Sequence, residues 1–318
     1  MRVAAIDCGT NSIRLLIADV SADISGGDLH DVVRRMEVVR LGQGVDRTGR
    51  LLPEAIERTR VALASYTEQI RDLGVQDVRM VATSATRDAA NREDFRQMVF
   101  STLGAEPEVI SGDEEAVLSF SGALSGLPAV LSPVLVADIG GGSTEVVLGS
   151  AERSGAGARP GIVAALSADI GCVRLTERHL VEDPPTPDQV GAAEADIRAA
   201  IERIRQAVPV EQARTFVGLA GSVTTVAALA LELPAYDALT IHGSRIPVGR
   251  VRSVTSGLLT MTREHRAALA VMHPGRVDVI GAGALILRVL MDALDLDEVT
   301  VSEHDILDGI ALGLAEPS

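Results

Sequence analysis

Two stretches of this chain carry residue types suited to phosphate chemistry. "VAAIDCGTNSIRLLIADV", from Val3, and "VLVADIGGGSTEVVLG", from Val134, each end an apolar run in Asp and continue with glycine and small hydroxyl residues. Glycine between two strands lets the backbone turn tightly and approach a ligand, so that successive N–H groups meet phosphate oxygens. Ser and Thr add donors without bulk. An Asp at the strand end is placed to hold a divalent cation that bridges it to the phosphate. One such turn alone reads as a tight hairpin. Setting Asp7 on Asp138, however, aligns Gly9 with Gly140, Ser12 with Ser143 and Arg14 with Glu145 without a gap. Two matched copies point to paired loops gripping one phosphoryl group.

Hydrolysis also needs a base. "ISGDEEA" puts Glu114 and Glu115 in the first turn of an expected helix, where acids also suit the positive end of the helix dipole. Arg87 in "SATRDAAN" offers a guanidinium fork for an oxyanion, or equally a surface ion pair with Asp88 or Glu93. "GLAGSVTTVAAL" is a strand-to-helix turn in which Gly221 and Ser222 are candidate substrate contacts, with a purely structural turn as the alternative.

Composition narrows the chemistry. All 29 basic residues are Arg, which excludes a Walker lysine or a Schiff base and leaves anion binding to backbone N–H groups, Arg and metal. The net charge of −15 argues against a general nucleic-acid surface while leaving room for a local cationic groove for an anionic substrate, and an aromatic content of 2% leaves no platform for stacking nucleobases. Cys8 and Cys172 have no CxxC spacing, so a reducing cytoplasm is expected rather than a disulfide framework. No apolar run reaches the length of a membrane span and the start of the chain has no signal-peptide pattern, so neither membrane nor export is expected. His242, followed by Arg245, Arg250 and Arg252, reads as solvated surface or a polyanion track, and His304–Asp305 reads as a helix start.

The elements that must position these residues are strands at 3–6, 13–20 and 32–41, a helix from Pro53 to Gly74, and the strand "DVRMVAT". A helix capped by Asn91, the short strand "PEVI" and the "GDEEAVLSFSGAL" helix close a first unit near residue 125. The strand, turn, strand arrangement then recurs from 134, with a Gly/Ala/Ser hairpin tip at 150–161, helix 188–206, strand 215–220 and a helix from 222. Helices near 253–259, 263–271 and 276–294, strand 298–301 and helix 304–314 follow. The 318 residues suit two domains, 1–125 and 126–302, with the segment 303–318 packing back on the first.

In order along nearly the whole chain, "DCGTNSIRL", "ATSATRDAANREDF", "VISGDEEAVLSFSGAL", "DIGGGSTEVVLG", "DIGCVRLTE" and "GLAGSVTTVAAL" resemble a known family. The duplicated loops resemble those of the actin, Hsp70 and sugar-kinase superfamily. The full set resembles the exopolyphosphatase and guanosine pentaphosphate phosphatase family, Ppx/GppA.

The resemblance implies an α/β, two-domain, ribonuclease H-like fold with an interdomain cleft. It implies hydrolysis of the terminal phosphoanhydride of inorganic polyphosphate, with Glu115 activating water and Arg87 on the phosphate. Gly9, Thr10, Asn11, Ser12, Gly140, Gly141, Gly142, Ser143 and Thr144 would form the cradles, and Asp138, Glu145 and Asp7 would hold Mg²⁺ or Mn²⁺. Longer members carry a C-terminal helical extension that this chain lacks, which favours short polyphosphate. Hydrolysis of pppGpp, in stringent-response chemistry, and non-catalytic sensing of polyphosphate or ppGpp are the alternatives. A kinase on the same scaffold is disfavoured by the "GDEEA" helix. A homodimer is expected by analogy with family members.

Overall fold

The computed structural model describes residues 1–20, 29–127, 130–151 and 161–315. Two compact units emerge. The first takes in the described residues up to Gly122 together with helix Ile306–Leu314, and the second the described residues between Ala123 and Asp305.

The first unit is built on strands β1 (Arg2–Cys8), β2 (Ser12–Val20), β3 (Leu29–Val38), β4 (Asp77–Ala82) and β5 (Glu108–Val109). They lie in the order β3-β2-β1-β4-β5, antiparallel through the β1–β2–β3 meander and parallel from β1 across β4 to β5. Residues of β1 and β2 are mostly apolar and buried, as expected where both faces of a sheet are covered. On one face, helix Pro53–Asp72 seats Ala55, Thr59, Leu63, Tyr66 and Ile70 at helical spacing, and helix Arg92–Leu103 adds Phe95 and Val99. Fully burying each large apolar side chain contributes about 1.5–3 kcal/mol. The other face, Val3, Ala5, Leu16, Ala18 and Val81, is covered by Ile306, Leu307, Ile310 and Ala311. A Cβ on Gly309 would lie 2.0 Å from Leu118 O, so only glycine lets this helix approach so closely.

The second unit repeats the plan with β6 (Val134–Ile139), β7 (Thr144–Ser150), β8 (Gly161–Ala168), β9 (Thr215–Leu219), β10 (Arg245–Pro247) and β11 (Glu298–Val301). Its order, β8-β7-β6-β9-β11-β10, matches the first sheet strand for strand, with antiparallel β10 added at the edge. Even the register irregularity recurs. It falls between Ile17 and Ala18 on β2 and between Leu148 and Gly149 on β7, the same place in the gapless alignment. Helix Pro187–Ala207 opens on a capping box between Thr186 and Gln189 and buries Ile197, Ile201 and Ile204. The apolar helix Ile280–Ala293 is buried along most of its length.

Several expected boundaries shift. Helices 253–259, 263–271 and 276–294 prove to be Val248–Thr260, Arg263–Ala267 and Ile280–Ala293, and the helix expected from 304 begins at Ile306. Asn91 does not cap the following helix; its side-chain amide instead clamps Leu51, accepting from the Leu51 N–H at 2.8 Å and donating to the Leu51 carbonyl at 3.1 Å. Short helices at Ser84–Asp88 and Cys172–Arg178, and strands β8 and β10, are additions. The expected hairpin tip at 150–161 falls largely on 152–160, outside the described residues. Among the described residues no helix is long and apolar enough to cross a membrane.

Candidate active site

In the first unit the candidate residues gather at the carboxyl ends of parallel neighbours, where open α/β sheets bind ligands. β1 ends at Cys8, β4 at Ala82 opposite it, and β5 at Val109 opposite Ala82. The turn after β1 closes with Gly9 N–H donating to Ser12 O at 3.0 Å. Its outer side is tied down by Val39 and Arg40 N–H groups on the Asn11 carbonyl and by Gly42 N–H on the Thr10 carbonyl. The Thr10 hydroxyl is buried against Ser84 Oγ at 2.9 Å, and a Cβ on Gly42 would meet Thr10 Cγ2 at 2.3 Å. Tyr66 supports the start of β2 through its hydroxyl on Ile13 O at 3.1 Å, and burial pushes that phenol well above its ordinary range.

Thr83, next after β4, donates its N–H to Cys8 O, and the one-turn helix Ser84–Asp88 then carries Arg87. Helix Gly112–Ala123, after β5, carries Glu115 in its first turn. These two meet: Arg87 Nη1 donates to Glu115 Oε2 at 3.0 Å and to Ile110 O at 3.1 Å. Glu115 is 8% exposed. Glu114 turns instead to Arg79, at 2.7 Å.

In the second unit the turn from β6 to β7 closes with Gly140 N–H on Ser143 O at 3.0 Å, the same bond as in the first. Its carbonyls point into helix Cys172–Arg178: Cys172 N–H donates to Gly140 O, Val173 and Arg174 N–H groups to Gly141 O, and Arg174 Nε to Gly142 O at 2.7 Å. A Cβ on Gly171 would lie 2.3 Å from Gly141 O, so backbone packs directly on backbone. Thr144 is fully buried and donates its hydroxyl to Ile170 O at 2.6 Å, shaping the loop from within.

The two loops differ in charge. Arg14 is the register partner of Asp7 and donates to its Oδ2 through Nη2 at 2.6 Å and Nε at 3.0 Å. Glu145 is the register partner of Asp138, and directly opposite residues of an antiparallel pair share one face. Asp138 is 7% exposed and Glu145 1%, and Glu145 Oε1 accepts from Ser167 Oγ at 2.6 Å. Two buried carboxylates side by side are hard oxygen donors of the kind that hold Mg²⁺, which takes one or two carboxylates and completes its shell with water and phosphate oxygens. Among the described residues no three His, Cys, Asp or Glu side chains converge as a dedicated metal cage, which is also the pattern such a cation requires least. Asp7 is engaged by Arg14, whereas the register partner of Asp138 is a second carboxylate.

After β9, Ala220 takes a left-handed φ of 70° and helix Ala220–Ala230 begins beside Asp138, whose neighbour on β9 is Leu219. Arg276, which the sequence reading does not single out, lies across Gly221: a Cβ there would sit 2.3 Å from its guanidinium carbon. It donates to Thr225 Oγ1 at 3.1 Å. Ser222 packs against Gly283 and Cys172. Burial pushes both cysteine thiols up, so neither is poised as a thiolate nucleophile. His242 and His304 stack with ring centroids 4.7 Å apart in the second unit, and Ser125 Oγ lies 2.9 Å from His304 Nδ1.

A duplicated strand-turn-strand cradle on each of two equivalent sheets defines the actin-like class of phosphate-handling α/β proteins. The chain belongs to the Ppx/GppA phosphatase family, which it matches over residues 18–316. It is 55% identical over 323 residues to exopolyphosphatase 2 of Mycobacterium tuberculosis, covering 99% of this chain and 98% of that one. The guanosine-5'-triphosphate,3'-diphosphate pyrophosphatase of Aeromonas salmonicida is 29% identical, over 98% of this chain and 59% of the other. Among solved structures, an exopolyphosphatase-like protein superposes with a TM-score of 0.91 at 44% identity, covering 98% of this chain and 97% of that one. The Aquifex aeolicus family member superposes with a TM-score of 0.79 at 30% identity, over 99% of this chain and 97% of its own.

Proposed function

We propose that this protein is an exopolyphosphatase that releases orthophosphate from the end of inorganic polyphosphate, short chains above all, in a reducing cytoplasm and as a homodimer. The contact between Arg87 and Glu115 carries the reading, because a buried carboxylate held by a cation beside a phosphate loop is what water activation needs and phosphoryl transfer to an acceptor hydroxyl does not. In the proposed step Thr10, Asn11 and Ser12 from one loop, and Gly141, Gly142 and Ser143 from the other, donate to oxygens of the terminal phosphoryl group, while Gly9 and Gly140, whose N–H groups close the two turns, hold the cradles in shape. Thr144 keeps the second loop in shape. Arg87 offsets charge on the transferred group while Glu115 orients a water in line with the leaving oxygen and takes its proton. The P–O bond to the shortened chain breaks as the bond to water forms, and orthophosphate leaves. Asp138 and Glu145, with Asp7 reaching through water, would hold a divalent cation, Mg²⁺ or Mn²⁺, whose chemistry is charge neutralisation of the phosphoryl oxygens. Gly221, Ser222 and Arg276 are proposed to contact the remainder of the substrate.

The Aeromonas salmonicida relative favours a second reading, hydrolysis of the 5'-terminal phosphate of pppGpp. Orthophosphate release from short polyphosphate and from pppGpp, measured side by side at equal metal, tests both. Higher kcat/KM on polyphosphate is expected. Higher efficiency on pppGpp would reverse the assignment, and tight binding without turnover in any divalent metal would make the protein a sensor.

A further inference from the structure

A groove of about 440 Å³ in the first unit is lined by Arg87, Arg92, Arg96, Val109, Ile110 and Ser111. Arg87 belongs to the candidate site, but Arg92 and Arg96 have no part in it. They sit at i and i+4 on helix Arg92–Leu103, so they share a face, and like charges at that spacing destabilise a helix. Arg92 is also the first residue of the helix, where a cation opposes the dipole. Arg96 is only loosely offset: it reaches Glu93 and Glu106, each at 3.3 Å and each carboxylate more than half exposed, and such surface pairs contribute little. The Arg92 guanidinium has no hydrogen bond or ion pair among the described residues. On the facing wall, Ser111 Oγ accepts the Glu114 N–H at 3.1 Å, which leaves its own proton to donate.

We propose that this groove is a second phosphate-binding subsite, taking one phosphate group on Arg92, Arg96 and the Ser111 hydroxyl next to the phosphate held by Arg87. Guanidinium forks match phosphate oxygens in pairs, and the carboxylates nearby, Glu93, Glu106 and Glu115, are each already held by an arginine. The phosphate comes either from the polyphosphate chain itself or from released orthophosphate. The inference rests on the phosphoanhydride-hydrolase reading above.

The test uses the whole chain with Mg²⁺, as wild type, Arg92→Ala, Arg96→Gln and the double variant. Three quantities are read: KM for longer polyphosphate against tripolyphosphate, inhibition by added orthophosphate, and calorimetric binding of tripolyphosphate and of orthophosphate. For a chain subsite, the double variant raises KM for polyphosphate, tripolyphosphate included, by roughly tenfold and leaves kcat unchanged. For a product subsite, orthophosphate inhibition weakens by a similar factor while both KM values hold. Unchanged KM, inhibition and binding in all three variants overturn the proposal. If wild type releases no orthophosphate from any chain, the hydrolase reading fails separately, and loss of tripolyphosphate binding in the variants still supports the subsite. Arg92→Ala removes an unfavourable helix-end charge, so its melting temperature is expected to be no lower than that of wild type.

Discussion

Glu145 stands directly opposite Asp138 across the β6–β7 ladder, whereas at the matching place on β1–β2 the partner of Asp7 is Arg14. One duplicated position thus pairs its aspartate with an arginine and the other with a second carboxylate. Like charges directly opposite on a sheet are destabilising. Without divalent metal, Glu145→Gln, which keeps an acceptor for Ser167, is expected to be more stable than wild type by about 0.5 kcal/mol. With Mg²⁺ in excess the order reverses, because a ligand that binds only the folded state at a hundredfold excess over its Kd adds about 2.7 kcal/mol. Melting curves with and without Mg²⁺ decide it; an equal metal-induced shift in both proteins would remove Glu145 from the metal site.

Glu115→Gln retains the shape of the side chain but cannot take a proton. Under the proposed mechanism kcat falls by about a hundred- to ten-thousandfold while KM changes little. Arg87→Lys is expected to recover little activity relative to Arg87→Ala, since an ammonium cannot span Ile110 O and Glu115 while also presenting a fork to phosphate. Steady-state kinetics on polyphosphate check both. Full activity in Glu115→Gln would require another base.

Gly171→Ala drives a methyl group into backbone atoms of Gly141 and Gly142, which have no side-chain end to move aside. A loss of about 2 kcal/mol or more in urea unfolding is expected, together with weakened phosphate binding. Gly191→Ala is the contrast: a Cβ there meets nothing within 4 Å on the exposed side of helix Pro187–Ala207, and a gain of about 0.5–1 kcal/mol is expected.

Tyr236 hydrogen-bonds Glu303 Oε1 at 2.6 Å and Thr224 Oγ1 at 2.7 Å, and burial of the hydroxyl, with Glu303 beside it, pushes its pKa up to about 12. A raised folded-state pKa means that the stabilisation is complete below the ordinary tyrosine range and is lost as pH climbs toward 12, because the unfolded chain gives up its proton first. Tyr236→Phe is therefore expected to be less stable than wild type at neutral pH, with the gap narrowing as pH rises through that window. Thermal melts across the alkaline range would show it, and a constant gap would contradict it.

Much of the site was legible because its signals are local. Asp, Gly and Ser at matched offsets require only the strand-turn-strand hairpin, and the gapless alignment already set Arg14 against Glu145; the ladder adds that each faces its aspartate. Glu115 was separable from Glu114 only through family resemblance. In the fold, Glu114 goes to Arg79 and Glu115 to Arg87, a choice that depends on where β4 and β5 end. Arg276 carried no local signal, since nothing between "HPGR" and Gly221 is near in sequence, and a guanidinium resting on a glycine is a purely tertiary event. Asn91 misled for the opposite reason: a good cap residue by type, it had a stronger long-range partner in the Leu51 backbone.

The helix Ile306–Leu314, which covers the second face of the first sheet, is separated from that sheet by the whole of the second unit. In synthesis from the amino end, Val3, Leu16 and Val81 are therefore made long before the residues that bury them. That face is completed only by Ile306 and Ile310, so the first unit reaches its full core only when the last helix has been made.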